Sequence, residues 1–310
     1  MRRTLLAALC AALLAAPVAA AKGPLLGIFG PIDRFKALTG QDSQVGHVIF
    51  GWGQTSFASV LPKLGEMPMI GFDTGAYGRE AITPAAIAHG AGDAYLIALN
   101  NAAANWAKPL YIRPLGEMNG HWNPYCAYNA NGSARDAAHS TASFRKAFAR
   151  IYLILHGGPA ARINGQLRSL GLPPVKGDLP PIPYPALRVI WNPQGYGSPA
   201  LPGNAAQAYY PGDRYVDVVG DDLYLIKGKA EWAAAETLYK AHPSKPYSFP
   251  EWGLWGLDDP GFVRAMADFV KTHRRTQMIA YFNAKPGSIF DLASKPRSLA
   301  AYRALISTLR

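Results

Sequence analysis

Two cysteines in 310 residues, Cys10 and Cys126, are too few to staple this chain. Cys10 falls in a segment expected to be removed, so Cys126 stands alone in the mature protein and an intramolecular disulfide is excluded. Stability must then come from a hydrophobic core, and an apolar fraction of 49% is ample for one. Acidic residues are scarce as well, 20 against 31 Lys and Arg, for a formal net charge of +11. The basic excess is scattered, and its densest cluster, Lys271 to Arg275, lies near an expected helix end, where cations complement the dipole. There is no basic stripe interleaved with aromatics on a recognisable module, which argues against nucleic acid as a partner. The seven histidines show no HExxH spacing and no GxSxG elbow occurs, so zinc and serine hydrolases have no foothold. Gly195 to Ala200 matches a loose dinucleotide fingerprint, but Pro199 spoils the helix that should follow. Asp221-Asp222 reads as a polar strand end rather than a cation site. No cofactor or metal is expected.

Long apolar runs are also missing after the amino terminus. Arg2 and Arg3, the apolar run Thr4 to Ala16 and the small residues Val18 to Ala21 have the three parts of a signal peptide over residues 1–21. The run is shorter than the roughly 20 residues a spanning helix needs. The expectation is an exported protein, secreted or periplasmic, with no membrane span, whose mature chain over 22–310 is one monomeric domain.

What is present is alternation. Eight short β-rich runs recur at Leu25–Phe29, His47–Phe50, Met67–Phe72, Leu110–Leu115, Leu187–Trp191, Val216–Leu223, Tyr247–Glu251 and Met278–Phe282. Helical patterns lie between most of them, at Ser56–Leu64, Thr83–His89, Asp93–Ala107, Ala142–Leu155, Glu231–Ala241 and Pro260–His273, with another at Leu299–Leu309. Gly157 to Pro185, rich in Pro and Gly, reads as a long surface loop with a short helix at Arg162–Leu170. Strands alternating with helices imply a parallel sheet, and eight strands in about 290 residues favour a single (β/α)8 TIM barrel.

In such a barrel all strand carboxyl ends meet at one face, so residues distant in sequence converge there. Two of these ends carry a single glutamate beside aromatics: Glu117 after the fourth strand and Glu251 at the seventh. Glycosidic cleavage needs one acid to protonate the leaving oxygen and a second carboxylate to attack or to activate water, and this pair has the right composition for both roles. Trp122, Trp191, Trp252 and Trp255 also follow expected strands, where flat rings stack against sugar faces.

The wording around these residues resembles glycoside hydrolase family 26, the β-mannanase and related β-glucanase family. Arg113-Pro114 with Glu117-Met118-Asn119-Gly120 and Trp122 is similar to its acid/base motif. Trp191-Asn192-Pro193, Tyr209 to Asp213 leading into Tyr215 to Gly220, and Glu251-Trp252-Gly253 look like its other markers. The resemblance implies a retaining hydrolase of β-mannan or β-glucan with Glu117 as acid/base and Glu251 as nucleophile. It implies substrate contacts at Arg113, Asn119, His121, Trp122, Trp191, Tyr224 and Trp252, with Tyr224 hydrogen-bonded to Glu251. One departure stands out: the family has His immediately before the acid/base, and this chain has Gly116. Either another residue, such as His121, fills that space, or the site has changed. The alternative reading is a catalytically inactive barrel that binds an exopolysaccharide or cell-envelope glycan. The basic charge alone motivates a third, an enzyme acting on an acidic exopolysaccharide.

Overall fold

The structure is a computed structural model describing residues 23–309; the expected signal peptide lies outside the described residues. Eight strands, β1 Leu25–Phe29, β2 Val45–Phe50, β3 Met69–Phe72, β4 Leu110–Pro114, β5 Leu187–Trp191, β6 Val218–Leu225, β7 Tyr247–Leu254 and β8 Thr276–Phe282, pair in parallel in the circular order β1-β8-β7-β6-β5-β4-β3-β2. The sheet closes on itself, which removes its edges and makes the (β/α)8 barrel that the alternation implied. Its interior is a layer of Val45, Met69, Tyr111, Ile190, Val218, Met278 and Ala280, all buried, so the barrel is a packed core and not a pore. The larger apolar layer lies outside, between the strands and the helices.

The helices follow from local chemistry. Thr83 accepts from the Ala86 amide and Pro84 occupies the first turn of Pro84–Ala88; Asp259 caps Pro260–Thr272 in the same manner through the Gly261 amide. Asp93–Trp106 and Thr141–His156 match their sequence patterns to within a residue. Helix Ile32–Thr39 has no counterpart among the expected helical patterns, since eight residues after Pro31 give only two turns of pattern. Ser56–Leu64 is a single α-turn, Phe57–Val60, followed by a 3-10 turn, because Pro62 interrupts the ladder. The final helix runs Pro296–Leu305. Residues 157–185 are a packed arm rather than a free loop: helix Ala160–Ser169 and the buried Leu172, Val175, Leu179 and Ile182 cover the barrel wall.

Arg150, buried on helix Thr141–His156, ties this side together. Its Nε and Nη2 donate to the two Asp93 oxygens at 2.7 and 2.6 Å, and Nη1 donates to the Pro173 carbonyl at 2.7 Å. Removing one partner of such a fork strands the other, at a cost of about 3–5 kcal/mol for a fully buried pair. Asp93 keeps some solvent contact, so Arg150→Ala is expected to destabilise the fold by about 3 kcal/mol, the low end of that range. An unchanged urea midpoint would contradict this role.

Candidate active site

The site begins with the alternation of strand side chains. On β6, Val218, Gly220, Asp222 and Tyr224 share the inner face. On β7 the register slips: Gly220 pairs with Ser248, but Asp222 pairs with Glu251. The same slip appears on the β8 side, where Ile279 pairs with Phe249 and Tyr281 with Trp252. This bulge around Pro250 turns Glu251 inward; an unbroken register would have pointed it outward.

Glu251 is buried at the barrel mouth. Its Oε1 accepts from Arg113 Nη1 at 3.0 Å and its Oε2 from the Tyr224 hydroxyl at 2.6 Å. The Arg113 guanidinium, inward-facing on β4, also donates Nη2 to Asp222 and Nε to the Asn192 side-chain oxygen at 3.1 Å. Burial pushes the Glu251 carboxyl above the usual range; Arg113 opposes, the Glu117 charge adds to the rise, and Tyr224 opposes again. Asp222 is likewise raised by burial against the pull of Arg113. One cation thus serves two buried carboxyls. Asp222 Oδ1 and both ring nitrogens of His47, itself held neutral by burial and by Arg113, are buried without protein partners.

Glu117 stands beyond β4 in a loop whose backbone is unusual. Leu115 and Glu117 have φ of 50° and 53°, each a strained conformation for a side-chain-bearing residue. The strain is held by neighbours: the Glu117 amide donates to the Asn192 carbonyl at 2.7 Å, Asn123 Nδ2 donates to the Glu117 carbonyl at 2.9 Å, and the Tyr125 hydroxyl donates to the Gly116 carbonyl at 2.6 Å. The carboxylate is aimed by two donors, Trp122 Nε1 to Oε2 and Gln194 Nε2 to Oε1, both at 2.8 Å.

Gly116 now has a physical explanation. A Cβ built there would lie 2.5 Å from the Arg113 Cζ and Nη2 atoms, so the guanidinium itself fills the space above the glycine. His121 does not fill it: its Nδ1 pairs with the Ser198 hydroxyl at 3.1 Å and its ring packs edge-on against Trp122.

Arg113, Tyr224 and Trp122 stand beside the two glutamates, and His121 lies next to Trp122. Three expected contacts are corrected. Trp191 is fully buried on the outer face of β5 against Tyr210 and His242, and Trp252, outward because of the bulge, stacks on Tyr302. Neither ring is open to a ligand. Asn119 is also fully buried; its Nδ2 donates to the Gln194 and Tyr196 carbonyls and its Oδ1 accepts the Gln194 amide, which makes it the rivet between the β4 and β5 loops. Asp222 and Gln194 were missed as site residues. The period-two phase shared with Tyr224 would have found Asp222; nothing local marks Gln194. Among the described residues no cluster of His, Cys, Asp or Glu could hold a metal ion, and no helix is long and apolar enough to cross a membrane. Cys126 is buried beside Asn204 and Tyr209.

Gly116→Ala is expected to drive Arg113 off Glu251 and to destabilise the protein by about 1–3 kcal/mol through overpacking. A variant structure with the Arg113–Glu251 contact intact and an unchanged melting temperature would contradict this.

No protein-family model matches the chain. Endoglucanase H of Acetivibrio thermocellus is 22% identical over 299 residues; the match takes in 89% of this chain and only 29% of that protein's length. Among solved structures, mannanase BCman of Bacillus subtilis aligns with a TM-score of 0.60 at 17% identity, covering 92% of this chain and 86% of that one. Mannanase man26 of Bacillus subtilis gives a TM-score of 0.60 at 18% identity with the same coverage. The GH26 β-mannanase BoMan26A of Bacteroides ovatus gives 0.54 at 15%, covering 92% and 88%. In TM-score and in the share of each chain covered, the fold of this protein is that of solved β-mannanases, a GH26 β-mannanase among them.

Proposed function

We propose that the protein is a retaining O-glycoside hydrolase of β-linked polysaccharide, with β-mannan or β-glucan as substrate and an endo-β-mannanase-like action. The observation that carries this reading is the carboxylate pair at the ends of β4 and β7, each member aimed by two fixed donors. The shared fold with family 26 mannanases and the endoglucanase relative support it. The three-part amino-terminal segment supports export.

In this reading Glu251 attacks the anomeric carbon, and Arg113 and Tyr224 hold both its oxygens so that one face stays directed at the substrate. Glu117 delivers a proton to the departing glycosidic oxygen, then withdraws one from the water that hydrolyses the glycosyl-enzyme. Gln194 suits both protonation states of Glu117. Its amide nitrogen donates to the carboxylate, and its side-chain oxygen, buried without a partner, becomes an acceptor for the acid when the amide rotates. Gly116 does not argue for an inactive barrel, because the guanidinium above it completes the carboxylate's support.

The test is product release from mannan, β-glucan and xylan. The native protein should cleave one of the first two, and Glu251→Gln should lower kcat by about a thousandfold or more. Full activity in that variant would refute the nucleophile assignment, and binding without product from the native protein would favour the glycan-binding barrel. A second test is the pH profile. A nucleophile must be ionised, so kcat/KM falls as pH drops through the Glu251 pKa. Arg113 holds that pKa down against burial, so Arg113→Met should move the acid limb to higher pH. An unmoved limb would remove Arg113 from this role.

A further inference from the structure

Between β3 and the helix Pro84–Ala88 the chain makes a small antiparallel hairpin in which Gly75 pairs with Glu80 and Ala76 with Arg79. Two residues, Tyr77 and Gly78, form its tip, with φ of 53° and 78°. Both being left-handed, this is the tight turn that favours Asn-Gly, and a bulky residue in its first position is strained. Tyr77 gains nothing from packing in return, since its side chain is fully exposed. A residue that violates the local rule without compensation from the fold is expected at a functional position.

The hairpin walls a cleft of about 780 Å³, within the range of ligand sites, that continues to Trp122. Trp122 belongs to both regions: its indole N–H holds Glu117, and its half-exposed ring faces the cleft. The hairpin is braced, because His139 joins Glu80 at 2.8 Å and Asp136 at 2.6 Å. Arg135 is occupied by the carbonyls of His121, Asn123 and Pro124 and shapes the cleft floor. The lining charges balance, Asp73 and Glu80 against Arg79 and Arg135, so nothing there recruits an anionic polymer.

We propose that Tyr77 is a stacking platform for a distal sugar of the same neutral β-linked glycan that reacts at Glu117 and Glu251, and that the cleft between Tyr77 and Trp122 is its subsite. The proposal rests on the glycoside hydrolase reading and adds where a long chain is gripped. An exposed flat ring at the end of a polar-edged cleft suits a pyranose face, and continuity through Trp122 makes the occupant the substrate chain itself.

The test is Tyr77→Asn, which suits the turn better than tyrosine and should leave the melting temperature unchanged or raised. On polymeric mannan or β-glucan it should raise KM about tenfold with kcat unchanged, the loss of one aromatic anchor. Hydrolysis of a short aryl glycoside, which does not reach the hairpin, should be unaffected. Equal KM on polymer, or equal losses on both substrates, would overturn the proposal. Binding is read separately by retardation in gels containing each polymer, in a Glu251→Gln background. Retardation that Tyr77→Asn abolishes would sustain the platform even if the native protein hydrolyses nothing, which is how failure of the hydrolase reading would be recognised. Retardation indifferent to Tyr77, or retardation by acidic glycans alone, would overturn it.

Discussion

The guanidinium of Arg113 lies buried between Glu251, Asp222 and the Asn192 side chain, and so joins β4 to β5, β6 and β7 through one side chain. A buried cation of this kind is costly to desolvate and is tolerated only when its donors are satisfied. Here three of them are, and each partner is an inward-facing group at the rim of a closed barrel. The dependence runs both ways. Without Arg113, two carboxyls would be left in a site that burial already biases against their ionised forms. Without the bulge in β7, Glu251 would lie on the opposite face of the sheet and Arg113 would have no second acid to bridge.

The same guanidinium constrains the loop that carries Glu117. Because it lies over Gly116, that position has no room for a Cβ, and the loop passes through two left-handed residues on either side of the glycine. Such a conformation persists only where surroundings over-determine it. Asn119 and Gln194 do this by lacing the β4 and β5 loops together, and Asn204 adds a donor to the Asn119 carbonyl. The acid/base candidate is therefore held from outside its own strand, by the buried Asn119 and Asn204 and by Gln194, which also donates to the Glu117 carboxylate.

The fold was legible because β-rich runs and helical patterns alternate with clear caps, and because the strand ends at Glu117 and Glu251 carry polar residues that a buried strand would not. Much of the site was legible from the same strand ends. What escaped has specific causes. Trp191 and Trp252 follow the rule that aromatics at a rim meet sugar, yet the phase of their strands sends them outward, and for Trp252 the bulge that decides the phase involves only Pro250 and its neighbours. Asn119 looked like a contact because it sits within a motif, but its neighbours in space come from residues some 75 positions on. The role of Gly116 depends on where a long side chain three residues earlier comes to rest, which no local pattern encodes. Tyr77 breaks turn chemistry only once the turn is known to exist.

The most direct test of the central claim, that Glu251 is a nucleophile poised by Arg113 and Tyr224 opposite the acid Glu117, is the anomeric form of the first product, followed by proton NMR before mutarotation. Attack by Glu251 from the face opposite the leaving group, followed by water entering from the face that group vacated, gives a newly formed β-anomer that later equilibrates with the α-form. Initial appearance of the α-anomer would mean that water attacks directly, and would contradict the covalent role assigned to Glu251.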